Sequence, residues 1–95
     1  MDALSAAERI LAAIRAIPSG ETAAYGVVAQ RAGLPGRASL VARLLSQNDD
    51  PALPWHRVLR ADGRSAFPPG TLHYREQLKR LRREGVSIDE RGRAR

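Results

Sequence analysis

Glycine and proline punctuate this chain so closely that they limit what it can fold into more than any other feature. Breaks fall at Pro18–Ser19–Gly20, Gly33–Leu34–Pro35–Gly36, Pro51 and Pro54, Pro68–Pro69–Gly70 and Gly85. Proline lacks a backbone donor and glycine readily takes positive φ, so both stop helices rather than continue them. The stretches between the breaks suit helices of two to four turns. The 95 residues amount to one domain, which we place at residues 1–88.

Apolar spacing shows how these pieces fold. Over residues 4–17, Leu4, Ala7, Ile10, Leu11, Ile14 and Ile17 recur at three- and four-residue steps and share one helical face. Ser5 with Glu8 has capping-box spacing, and Asp2, Glu8 and Arg15 lie where the helix dipole favours their charges. A second helix is predicted over Tyr25–Ala32, with Tyr25, Val28, Ala29 and Ala32 inward and Gly33 ending it. A third is predicted over Arg37–Ser46, with Leu40, Val41, Leu44 and Leu45 inward and Arg37, Ser39 and Arg43 free to face solvent or a ligand. Two short helices joined by a tight glycine-containing turn form a helix-turn-helix.

Val58–Arg60 and Arg64–Phe67 flank Ala61–Asp62–Gly63, and Asp-Gly between short extended runs is a hairpin signal. The expectation is a two-stranded β-wing, giving a mainly α, winged-helix-like domain. Thr71 then caps a last helix to Glu84, with Leu72, Tyr74, Leu78 and Leu81 inward. Residues 89–95 contain only one small apolar residue, Ala94, and are expected to form a basic, disordered tail.

Charge narrows the partners. Sixteen Lys+Arg against ten Asp+Glu give a net +6. Up to His56 the five arginines balance five acids, so the whole excess lies after it. A small basic domain of this kind fits a polyanion, nucleic acid first. The N-terminus has no basic region like that of a secretory leader, and no apolar run approaches the roughly 18 residues of a membrane span. We therefore expect a cytoplasmic protein, nucleoid-associated in a bacterium, with no membrane partner. The sequence has no cysteine, so disulfides, thiolate metal sites and cysteine nucleophiles are excluded. Two histidines, His56 and His73, argue against a zinc site, and no cofactor is expected.

The densest local signal is Pro54–Trp55–His56–Arg57–Val58. The only tryptophan of a small domain is ordinarily core. Yet Trp55 is flanked by proline and by His56–Arg57, and an aromatic beside cationic and polar groups is also what a nucleobase pocket needs. His56 has no hydroxyl or thiol nucleophile at motif spacing, so it reads as an orienting group rather than a catalytic base.

Taken in order, GETAAYGVVA (20–29), AGLPG (32–36), Asn48, PWHRV (54–58), Gly63 and L-x-x-E-G (81–85) resemble the C-terminal domain of O6-alkylguanine-DNA alkyltransferases. The resemblance runs over residues 4–88. The second residue of P-x-H-R-V is the alkyl-accepting cysteine in those enzymes and Trp55 here, as in the alkyltransferase-like proteins, which bind such lesions without repairing them. The resemblance implies a non-enzymatic DNA-damage sensor. Its third helix would enter the minor groove of duplex DNA, and O6-alkylguanine would flip into a pocket walled by Tyr25, Trp55, His56, Arg57, Val58 and the segment after the wing. The complex would flag the lesion for nucleotide excision repair proteins. Tyr25, Arg37, Ser39 and Arg43 would touch DNA, Tyr25 near the phosphate of the flipped nucleotide.

Asn48 corresponds to the Asn that ties the pocket segment to the helix-turn-helix, and His56 and Glu84 to the pair that activates the thiol. Two positions depart from the family. Ser39 stands where an arginine normally fills the gap left by the flipped base, which leaves Arg37 or Arg43 to replace it. Ala24 and Val27 stand where a capping box is usual, with Thr22 as a substitute cap. The alternative is a sequence-specific winged-helix regulator, which would read a preferred sequence in the major groove and dimerise; the sensor is expected to be monomeric.

Overall fold

A computed structural model describes residues 4–95; Asp2 and the start of the expected 1–88 domain lie outside the described residues. The chain runs α1 (Ala6–Arg15), β1 (Ala23–Ala24), α2 (Tyr25–Arg31), α3 (Ala38–Ser46), a 3₁₀ turn (Trp55–Arg57), β2 (Val58–Leu59) and α4 (Leu72–Arg83). This is the mainly helical, helix-turn-helix architecture the spacing implies. Among the described residues no helix is long and apolar enough to cross a membrane.

Local capping sets the helix ends. The Ser5 hydroxyl accepts from the Glu8 N–H at 3.1 Å and begins α1, leaving Leu4 outside the helix and exposed. Thr71 caps α4 in the same way through the Tyr74 N–H at 3.3 Å. α2 begins at Ala24 with no side-chain cap, so Thr22 does not substitute. At its other end Gly33 takes φ +78°, and the Leu34 N–H reaches back to the Ala29 carbonyl at 2.8 Å. This left-handed closure satisfies the last carbonyls and turns the chain into α3.

The main core is Ile10, Ile14 and Ile17 from α1 and its exit, Val28 and Ala29 from α2, Val41 from α3, and Leu53 and Val58. Leu59, Leu81 and Val86 form a second cluster, with Ile88 and Ala94 against it. Leu72 departs from expectation. It is 77% exposed, because at about 100° per residue it lies half a turn from the buried Leu81 and about 120° from Leu78, on the outer face of α4.

The two-stranded element is assembled differently from the expected wing. β1 and β2 pair in parallel, Ala23 beside Val58 and Ala24 beside Leu59. The Asp62–Gly63 turn does form, with Arg60 N–H bonded to the Arg64 carbonyl at 2.8 Å. The ladder stops there because the Val58 carbonyl accepts from the Gln77 side-chain amide on α4 at 2.9 Å. Ser65, which also bonds Gln77, draws the returning segment toward α4. Arg64 instead bridges antiparallel to Arg93.

That bridge corrects the expectation for residues 89–95. The Asp89 carboxylate accepts from the N–H groups of Arg91 (2.9 Å) and Arg93 (3.0 Å) and folds the tail into a turn. Ala94 N–H then bonds the Gly63 carbonyl at 2.8 Å, and Arg95 N–H bonds Ser87 at 3.0 Å. A lack of large apolar residues did not leave this segment unpaired, because backbone groups carry the pairing.

Candidate nucleic-acid interface

Trp55 follows Pro54 in the 3₁₀ turn that leads into β2, so its direction is set by a short rigid connection to the buried Val58–Leu59 pair. Its half-buried indole forms one wall of a cavity of about 420 Å³ lined also by Tyr25, Ala42, Leu45, Ser46, Asn48, Ala66, Phe67, His73 and Gln77. The cavity lies between the helix-turn-helix and the start of α4, so α3 contributes residues to it while exposing Arg37, Ser39 and Arg43 to solvent. Ser39 and Arg43 are four residues apart and share a face.

Aromatic packing shapes the wall. Phe67 meets Trp55 edge-on (centroids 5.8 Å, 87°), and His73 does so at 6.2 Å and 73°. His73 stacks on Phe67 at 5.1 Å and 18°. The Arg80 guanidinium lies 5.4 Å from the Trp55 ring centroid and is held by Glu76 at 2.7 Å, which braces the indole by a cation–π contact. Tyr25, at the first position of α2, is half-buried, and that burial raises its phenol pKa. The ring therefore presents a neutral hydroxyl.

His56, Arg57 and Val58 do not line the cavity. Val58 is core, and His56 is buried with Nε2 3.0 Å from Glu84 Oε2. Arg57 grips both Glu84 oxygens, Nε to Oε1 at 3.0 Å and Nη2 to Oε2 at 2.7 Å, and donates from Nη1 to the Ile17 carbonyl at 2.8 Å. Hydrogen bonding from Arg57, with a smaller part from His56, holds the Glu84 carboxyl down at about 2. The same hydrogen bond raises the Arg57 pKa. His56 Nδ1 is buried without a partner among the described residues; a neutral ring donating from Nε2 to Glu84 leaves only an acceptor lone pair there. Residues 56, 57 and 84 thus clamp the 3₁₀ turn to the end of α4 and to the exit of α1.

Asn48 lines the cavity, but its amide is tied within its own loop, accepting from the Asp50 N–H at 3.0 Å and donating to the Asp50 carbonyl at 3.1 Å. No role at the site was expected of Phe67, His73, Gln77 or Arg80 from the sequence. Phe67 carried one available signal, as the sole phenylalanine, set directly before Pro68–Pro69–Gly70; the other three are ordinary helix positions until α4 docks.

The arrangement has an apolar, aromatic cavity beside an exposed helix bearing cations, and no thiol, since the sequence contains no cysteine. Aromatic walls of this kind take a planar base by stacking. Among known families, the DNA-binding domain of 6-O-methylguanine DNA methyltransferase matches residues 5–86. A methylated-DNA–protein-cysteine methyltransferase of Methanothermobacter thermautotrophicus is 39% identical over 82 residues, 85% of this chain and 44% of the relative. The DNA base-flipping protein of Escherichia coli is 34% identical over 86 residues, 90% of this chain and 65% of that protein. Alkyltransferase-like protein 1 of Schizosaccharomyces pombe is 30% identical over 81 residues, 84% and 75% of the two chains. The crystal structure of S. pombe Atl1 in complex with damaged DNA containing O6-carboxymethylguanine superposes with a TM-score of 0.80 at 26% identity, over 100% of this chain and 91% of that one. The chain spans about half the length of the methyltransferases it matches.

Proposed function

Because this chain belongs to the family of the 6-O-methylguanine DNA methyltransferase DNA-binding domain, with Trp55 in place of the acceptor cysteine, we propose that it recognises alkylated DNA without repairing it. The observation that carries this reading is Trp55 itself, on the wall of the aromatic cavity beside α3 in a chain without cysteine. Irreversible alkyl transfer needs a thiolate nucleophile. An indole has no such group, but it offers a broad apolar face for a purine and its alkyl substituent, and base–aromatic stacking is worth ~1–3 kcal/mol.

In this reading α3 enters the minor groove, with Arg37, Ser39 and Arg43 toward the duplex and Tyr25 at the backbone of the nucleotide being extruded. An O6-alkylguanine pairs poorly, costs less to unstack than an intact base, and so enters the cavity preferentially. The minor groove is weakly coded, which suits a protein that selects a lesion rather than a sequence. The Glu84 clamp, which would activate a thiol in a family member that has one, here holds the Trp55 turn rigid. The protein acts as a monomer in the cytoplasm or on the nucleoid, and its DNA complex marks the lesion for nucleotide excision repair.

The test is a paired binding measurement on a duplex carrying O6-methylguanine and the same duplex undamaged, across a salt series. Tighter binding to the damaged duplex at every salt concentration, with the lesion recovered unchanged by mass spectrometry, is expected. Equal affinities throughout would overturn the reading, and a preferred undamaged sequence would replace it with that of a sequence-specific regulator.

A further inference from the structure

We propose that His73 reads the substituent on the extruded base and selects O6 substituents that end in a hydrogen-bond acceptor, a carboxylate above all. This inference rests on the reading of the cavity as the site of the flipped base. It starts from the polar groups on the cavity wall. Both ends of the Asn48 amide are engaged by Asp50. The Ser46 hydroxyl donates to the Arg43 carbonyl at 2.8 Å. The Gln77 amide donates to the His56 and Val58 carbonyls, and its oxygen accepts from Ser65.

The remaining polar side chains on the wall are the Tyr25 phenol, the Trp55 indole N–H and the His73 imidazole. His73 is exposed, and neither of its ring nitrogens has a partner among the described residues. It donates at least one N–H in either protonation state, and it alone of the three can add a positive charge. Its stacking on Phe67 fixes the ring plane before anything binds, so little side-chain freedom is lost on forming that hydrogen bond.

The rest of the wall, Ala42, Leu45, Ala66 and Phe67, is apolar. Such a surface barely distinguishes two substituents of similar size, whereas a placed donor does. Two charges beside the Trp55 wall do not oppose a carboxylate: Arg80 lies over the Trp55 ring, and Glu76 is paired to it.

The experiment compares duplexes carrying O6-carboxymethylguanine, O6-propylguanine of similar size, and unmodified guanine, each titrated with the wild-type chain, His73→Phe and His73→Gln. Phenylalanine keeps the stack on Phe67 and removes the donor, while glutamine restores a donor. The wild-type chain should bind the carboxymethyl duplex about tenfold more tightly than the propyl duplex, the scale of a hydrogen bond to a charged group. His73→Phe should bring that ratio close to one by lowering carboxymethyl affinity, and His73→Gln should recover part of it. A wild-type ratio near one, or a ratio unchanged in His73→Phe, overturns the assignment while leaving lesion recognition intact. If neither modified duplex is bound more tightly than the unmodified one, the cavity is not a lesion site and the reading of function falls with it.

Discussion

Replacing a thiol by an indole at position 55 removes a reaction and adds a surface, and neighbouring side chains then serve that surface. Trp55→Ala is expected to lower the preference for O6-methylguanine about tenfold, the lower part of a stacking contribution of ~1–3 kcal/mol, while affinity for undamaged DNA stays nearly unchanged; paired titrations measure both. Full preference in the variant would place Trp55 in the core alone. Glu84 is a residue of stability. Its carboxyl titrates at about 2 in the folded chain against an ordinary 4.5, so its stabilisation is complete above about pH 4.5 and drains away as pH falls toward 2. Glu84→Gln should cost about 2 kcal/mol at pH 7. In urea unfolding the gap to wild type should close between pH 4.5 and 2; a gap independent of pH would mean that the clamp does not act through charge.

Among the elements, α2 and α3 differ in what their N-termini lack. Ala24 has the extended backbone of a cap residue (φ −74°, ψ 155°) but no side chain to use it. Ala24→Ser should therefore raise stability by about 0.5–1 kcal/mol, read as a higher melting temperature. On α3, Arg43 shares an exposed face with Ser39 whereas Arg37 lies at the N-cap. Arg43→Ala should reduce the damaged-to-undamaged binding ratio, and Arg37→Ala should weaken both duplexes alike; the opposite pattern would move the gap-filling role to Arg37. The helices were legible in the sequence because glycine stops, apolar spacing and, for α1 and α4, the Ser5 and Thr71 caps act within a few residues. The wing was not, because the Asp62–Gly63 signal is local and its strand partner was not. Gln77, from a helix that forms later in the chain, occupies the Val58 carbonyl that a hairpin would have used. Leu72 failed for a simpler reason, since nine residues of helix place it opposite Leu81, on the face that solvent reaches.

Over the whole molecule the +6 charge is redistributed by the fold. The tail pairs with Gly63 and Arg64 and so brings the exposed Arg93 beside the Asp62–Gly63 turn, with Arg91 and Arg95 exposed on either side of it in the chain, gathering charge in a position the linear order does not show. If that patch lies along the phosphates, Arg91→Gln combined with Arg93→Gln should make the slope of log K against log salt shallower by about 1–2, with the lesion ratio unchanged. An unchanged slope would place the tail away from DNA. From residue order alone came the helices, the helix-turn-helix, the absence of a thiol and Trp55 as a candidate for the pocket, because each is carried by residue identity or by contacts a turn or two apart. Only the tertiary structure decided which residues share the Trp55 cavity, that His56 and Arg57 turn away from it to Glu84, and that the tail is paired. Those outcomes depend on which distant hydrogen-bond partner reaches a group first, and that competition is settled by packing across the chain.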